Sequence, residues 1–119
     1  MDKLITSDVI LRYLLDDIED QSKAAKDALC SGAFTIGEVI AEVVNTLEKI
    51  YEVDKNTIKE TLSGFLSEIY IDNKPIILEA LFIYASKNIT YTNALILARH
   101  NINGEKAFTF DRKLKKLLL

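Results

Sequence analysis

Gly32-Ala33-Phe34-Thr35-Ile36, followed at once by Gly37-Glu38-Val39-Ile40-Ala41-Glu42-Val43-Val44-Asn45-Thr46-Leu47-Glu48-Lys49-Ile50, decides the fold class. The first five residues read as a turn and a short strand. The segment after them is the clearest helix in the chain, because Val39, Ile40, Val43, Val44, Leu47 and Ile50 recur at the spacing of one apolar helical face. On that helix Glu38 lies nearly opposite the apolar face and Glu42 at its border, where a carboxylate is held by the fold and still reaches a cleft. A strand feeding directly into a long amphipathic helix is the building unit of an α/β fold.

The pattern repeats on both sides. Upstream, Lys3-Leu4-Ile5-Thr6 reads as a buried strand, and Ser7 and Asp8 offer capping oxygens to a helix over Val9–Leu15. The acidic stretch Asp16-Asp17-Ile18-Glu19-Asp20 interrupts it, and a second helix is expected from about Ser22 to Leu29. Downstream, Asp54 caps a helix carrying Ile58, Leu62, Phe65, Leu66 and Ile69, which forms a hairpin with the helix before it. Ile69-Tyr70-Ile71 reads as a small strand or as the exit from that helix. Asp72-Asn73-Lys74-Pro75 is a strong helix start. From Ile76 to Ala85 apolar residues fill nearly every position, so that helix is expected to be buried on most sides. Thr90 caps a helix that stops near Asn103-Gly104. Ala107-Phe108-Thr109-Phe110 alternates and reads as a strand, with Asp111 capping a last helix from Arg112 to Leu119. The expected fold is α/β, with a short, mostly parallel central sheet flanked by helices in a single domain, 1–119.

Composition agrees. The chain has 119 residues, 49% hydrophobic and 28% charged, with one Pro and four Gly, which fits one globular domain rich in helix. A single cysteine, Cys30, excludes an internal disulfide framework and a Cys-based zinc cluster. Apolar runs fall short of the ~18 residues that span a bilayer, and the first residues lack the basic and apolar stretches of a secretion signal. A cytoplasmic location is the expectation, and the sequon Asn88-Ile89-Thr90 is read as chance. Charge is uneven: residues 1–60 carry 7 Lys/Arg against 13 Asp/Glu, and residues 61–119 carry 8 against 5. The basic tail, with Lys106, Arg112, Lys113, Lys115 and Lys116, permits a nucleic-acid contact but reads first as a solvated helix face.

In a parallel α/β sheet, ligands collect at the carboxyl ends of the strands. Thr6-Ser7-Asp8, Thr90 to Asn93 and Asp111 fall there, and Glu42 is a fourth polar site. Converging carboxylates at such a place hold Mg²⁺ or Mn²⁺ beside a phosphate. Taken singly, each site reads as a helix cap.

Taken in order, the four resemble the PIN domain, in particular the VapC-type toxin ribonucleases of toxin–antitoxin pairs, over nearly the whole chain. Ile5-Thr6-Ser7-Asp8-Val9 with the apolar residues after it is similar to the opening strand and helix, where the family has Asp-Thr-Asn-Val. Ile40-Ala41-Glu42-Val43-Val44 matches the helix of the second acid, and Tyr91-Thr92-Asn93-Ala94-Leu95-Ile96 the helix start of the third. Thr109-Phe110-Asp111 matches the late Thr-Phe-Asp motif. The resemblance implies a three-layer fold and a Mg²⁺- or Mn²⁺-dependent endoribonuclease in which acidic residues hold a metal that activates water. It also implies a homodimer and a small antitoxin protein over the site.

Two family acids are neutral here: Thr6 stands for the first and Asn93 for the third. By the resemblance, Glu42 and Asp111 remain as catalytic residues, with Asp8 as a replacement for the first acid. The metal ligands would be Glu42, Asp111, Asn93 and Thr6. Losing two carboxylates removes several kcal/mol of cation attraction, each being worth on the order of 4 kcal/mol at ~4 Å and an effective dielectric near 20. The expected function is therefore that of a VapC-like RNA-hydrolysing domain with nuclease activity weakened or lost. The alternative is a non-catalytic module that dimerises or binds RNA or an antitoxin. His100, at a helix end, reads as a cap or a solvent-facing group. Cys30 reads as a partly buried bystander, and Tyr13, Phe65, Phe82 and Phe108 read as core positions.

Overall fold

A computed structural model describes residues 2–119. Seven helices and three short strands alternate as β1 (Lys3–Leu4), α1 (Ser7–Leu15), α2 (Glu19–Cys30), β2 (Ala33–Thr35), α3 (Gly37–Lys49), α4 (Lys55–Leu66), β3 (Tyr70–Ile71), α5 (Lys74–Ser86), α6 (Tyr91–Asn103) and α7 (Arg112–Leu117). The strands form one parallel sheet in the order β1-β2-β3. The fold class is thus mixed α/β with a small parallel sheet. Among the described residues, no helix is long and apolar enough to cross a membrane.

Register divides the sheet into two unlike faces. Leu4 lies beside Phe34, and Phe34 beside Tyr70, so these three project to one side. Ile5, Thr35 and Ile71 point to the other side and are buried. Thr35 is one of two buried polar residues in the described chain, and its hydroxyl donates to the Ile5 carbonyl at 3.0 Å. That bond satisfies an acceptor at the end of β1 that is shielded from water.

The core forms around α3 and α5. Ile40, Val43, Val44 and Leu47 of α3 are buried, as the helical spacing predicts. They join Ile58, Leu62, Phe65 and Leu66 of α4 and Ile76, Ile77, Ala80, Leu81, Ile83 and Tyr84 of α5. Helix α5 packs most widely against α6 and α4, which buries most of it. Leu78 and Phe82, one turn apart, remain on its exposed side, with Phe82 58% exposed. Asp54, Thr90 and Asp111 cap as expected, accepting from the N–H groups of Thr57, Asn93 and Leu114 at 3.2, 3.2 and 2.8 Å. Gly104, at φ 69°, ends α6.

Several expectations are corrected. Ala107–Phe110 is not a strand: no neighbouring strand offers a ladder, and Phe108 and Phe110 stand 88% and 87% exposed. Alternation survives as geometry, since the two rings meet edge to face at 5.3 Å, but the face they share covers nothing. Phe108 and Phe82 are therefore surface residues, whereas Phe65 is buried and Tyr13 packs partly buried against the core. Both residues of β1 are exposed, and only Ile5 beyond it is buried. Neither Ser7 nor Asp8 caps α1. The cap position belongs to Thr6, whose hydroxyl turns to the Asp8 carboxylate. Helix α2 begins at Glu19, inside the acidic stretch, because two acids in a first turn complement the helix dipole. Cys30 is exposed at the end of that helix.

Candidate functional site

Helix α3 links the sites singled out in the sequence. Toward its start, the Glu42 carboxylate accepts a 2.7 Å hydrogen bond from the Ser7 hydroxyl at the head of α1. Asn45, three residues on and hence a neighbour of Glu42 on the helix surface, lines a cavity of about 370 Å³. Asn93, in the first turn of α6, and Asp111, before α7, line the same cavity. Positions 93 and 111, which share no local motif, are brought together, whereas Glu42 is not among the lining residues and stands about one turn of α3 before Asn45. Thr6 is occupied with Asp8. Asp8 itself lines a different cleft, with Arg12 of α1 and Gln21 and Ala28 of α2. It does not join Asn93 and Asp111.

The cavity is more basic than the sequence led us to expect. Lys49 of α3, Lys55 of α4 and Lys113 of α7 all line it, against the carboxylates of Glu48 and Asp111. Each lysine has a polar partner. The Lys49 ammonium sits 3.0 Å from Glu48. Lys55 donates to the Ile89 carbonyl at 2.7 Å and lies 4.6 Å above the Tyr84 ring. Lys113 donates to the Asn88 carbonyl at 2.7 Å. An ammonium has three donors, so each keeps some free for a ligand. Lys113 belongs to the basic tail and stands two residues after Asp111, a spacing that puts the two on different sides of a helix, so nothing local signals its position here. Nothing local signals Lys49 and Lys55 either, because the turn between α3 and α4 decides where they point.

Beneath the cavity two tyrosines pack edge to face, with ring centroids 5.8 Å apart. The Tyr84 hydroxyl bonds to the Glu48 carboxylate. That hydrogen bond, then the one from Lys49, holds Glu48 below the usual carboxylate range. Burial first, and then Glu48, pushes the Tyr84 phenol up. Tyr91 is raised by burial. Its hydroxyl is the one buried side-chain polar atom among the described residues without a hydrogen-bond partner.

As a divalent-metal site the donor set is poor. One oxygen of Asp111 is taken by the Leu114 N–H, and Asn93 contributes no charge. Among the described residues, no three His, Cys, Asp or Glu side chains stand together as a metal-holding group. Hard cations of this kind need several oxygens and at least one or two free carboxylates. The residues present do not fit a tightly held Mg²⁺ or Mn²⁺. Three ammoniums, the amides of Asn45 and Asn93 and the start of α6 instead make a surface that attracts anions. His100 lies in the last turn of α6, outside the cavity lining, with its Nδ1 2.9 Å from the Glu105 carbonyl oxygen.

No family model, curated protein or solved structure matches this chain.

Proposed function

We infer that this chain is a PIN-like domain, related to the VapC-type endoribonucleases, that engages RNA through the α3–α6–α7 cavity and has weakened or lost metal-dependent cleavage. The observation that supports it is the meeting of Asn93 and Asp111, eighteen positions apart, on a cavity whose other wall is the helix of Glu42. By the resemblance, Asn93 and Asp111 stand for the third and last acids, and the second, Glu42, lies on that helix one turn outside the lining. A three-layer arrangement, Mg²⁺ or Mn²⁺ as the residual cofactor, a homodimer, an antitoxin partner and a cytoplasmic location belong to the same reading. With Thr6 and Asn93 neutral, the site offers a phosphodiester attraction without the charge that would hold a metal against it.

A second reading, that of a binding module that never cuts, draws on the three lysines. An ammonium-rich cavity retains a phosphate unaided, whereas a metal-dependent nuclease keeps its phosphate site acidic for the metal. One set of measurements separates the two. Purified protein is incubated with single-stranded RNA and Mn²⁺, alongside Glu42→Gln and Asp111→Asn. Asn is as good a helix cap as Asp, so the second variant removes charge and keeps α7 in place. Slow, Mn²⁺-dependent cleavage lost in both variants supports a weakened nuclease. Salt-sensitive binding without cleavage supports the module. Absence of both binding and cleavage refutes the RNA reading altogether. Restoring acids with Thr6→Asp and Asn93→Asp should raise Mn²⁺ affinity measured by calorimetry, and unchanged affinity counts against the PIN-like placement of the site.

A further inference from the structure

Lys55 and Lys113 are ammoniums with neutral partners. Lys55, at the start of α4, donates to the Ile89 carbonyl and lies over the Tyr84 ring, and Lys113, in α7, donates to the Asn88 carbonyl. A carbonyl orients an ammonium without cancelling its charge. Neither lysine enters an ion pair among the described residues. Two elements far apart in the chain thus bring uncancelled positive charges to consecutive residues of the loop that leads into α6. Both lysines line the same cavity. The other charged groups of the lining are answered separately, Glu48 by Lys49 and the Tyr84 hydroxyl, and Asp111 by the Leu114 N–H at the start of α7. Tyr91 lines the cavity as well, and its N–H, in the first turn of α6, has no hydrogen-bond partner among the described residues. Like charges gathered at one cavity repel, and an occupant carrying two negative charges on one small group relieves both.

We propose that this cavity seats the terminal phosphomonoester of an RNA chain in preference to its internal phosphodiesters, with Lys55 and Lys113 as the two counter-charges. A terminal phosphate carries close to two negative charges above its second pKa of about 6, whereas each internal phosphate carries one. A volume of about 370 Å³ lies near the lower end of what ligand sites occupy, which suits one terminal group better than a length of strand. The proposal rests on the reading of this cavity as the place where RNA is engaged, and adds which part of the RNA it takes.

Calorimetry in EDTA at neutral pH tests it with one short single-stranded RNA prepared with hydroxyls at both ends, with a monophosphate at the 5′ end, or with a monophosphate at the 3′ end. One phosphorylated end should bind at least about tenfold more tightly than the other end and than the hydroxyl form. Converting the preferred phosphate to its methyl ester, which removes one charge and keeps the phosphorus in place, should abolish most of that preference. Lys55→Gln and Lys113→Gln should each bring the ratio between the two ends to within about threefold, with the helical circular dichroism unchanged. Lys113 is exposed, so its variant keeps the test open if Lys55→Gln does not fold. Equal binding of all forms overturns the proposal and leaves the RNA reading standing. An equal gain from a phosphate at either end reports only added charge and also overturns it. So does an end preference that survives both lysine substitutions, or one that the methyl ester retains in full. Failure of every form to bind refutes the RNA reading, and the proposal with it.

Discussion

Tyr84 and Tyr91 lie edge to face, yet removing the same hydroxyl from each should move stability in opposite directions. Tyr91→Phe keeps the ring, its volume and its contact with Tyr84, and deletes only a buried polar atom that has no partner. Holding such an atom away from water costs about 1–3 kcal/mol on mutational scales, so its removal should stabilise the fold by about 1 kcal/mol. Tyr84→Phe deletes a hydroxyl that donates to the Glu48 carboxylate. A hydrogen bond to a charged group contributes about 1.5–3 kcal/mol, and since Lys49 still accompanies Glu48 the loss should fall near 1.5 kcal/mol. The two variants should therefore differ by about 2–3 kcal/mol, on opposite sides of the parent. Urea titration followed by circular dichroism reads this directly, provided the slope with denaturant is unchanged. In thermal melting, Tyr91→Phe should rise by roughly 3–5 °C for a chain of this size. A Tyr91→Phe protein destabilised by 1 kcal/mol or more would refute the reasoning, because it would show that the hydroxyl is satisfied. Equal effects from both variants would refute it as well.

Further outcomes follow from the same contacts. Asp111→Ala should cost about 1 kcal/mol through loss of the α7 cap, while Asp111→Asn should cost less than half of that. Leu114→Ala, at the single buried position of α7, should destabilise by about 2–4 kcal/mol and speed hydrogen exchange in α7 ahead of the other helices. Gly32→Ala meets two obstacles, a φ of +99° and an Asp2 carboxylate oxygen 2.6 Å from the new Cβ, and should lose at least about 1 kcal/mol in urea titration. Glu48 is held below the usual carboxylate range, so its contribution is complete above the ordinary value of 4.5 and declines as pH falls beneath it. The stability of the parent should therefore drop more between pH 5 and 3 than that of Glu48→Gln, as measured by melting at each pH.

The elements most readable in the sequence were those whose cause is local. The apolar stripe of α3 and the caps at Asp54, Thr90 and Asp111 each need only a few neighbouring residues, and each stands where the pattern placed it. What failed depended on partners far away in the chain. Ala107–Phe110 has every strand propensity and no strand beside it, so propensity had nothing to act on. Phe82 occupies an apolar helix, but α5 presents one side to no other element, which spacing alone does not disclose. At the candidate site, the meeting of Asn93 and Asp111 was legible only through the order of motifs. The lysines around them were not, because Lys49 and Lys55 enter the cavity from the two sides of a turn whose shape no local rule fixes. Asp8, the expected stand-in for a missing acid, lines the cleft against α2 and not the cavity of Asn93 and Asp111.

The hydroxyl of Thr35 against the Ile5 carbonyl has a consequence for how so little sheet specifies so much. A slip of one position between β1 and β2 would offer that carbonyl a Phe34 or Ile36 side chain, leaving an acceptor stranded in the interior and a bulky group where a small one fits. Neither misalignment is a near neighbour in energy, so the pair behaves as a latch with one closed position. Strands of two and three residues are then sufficient to dictate where α1 and α3 set out, and with them where Ser7 meets Glu42.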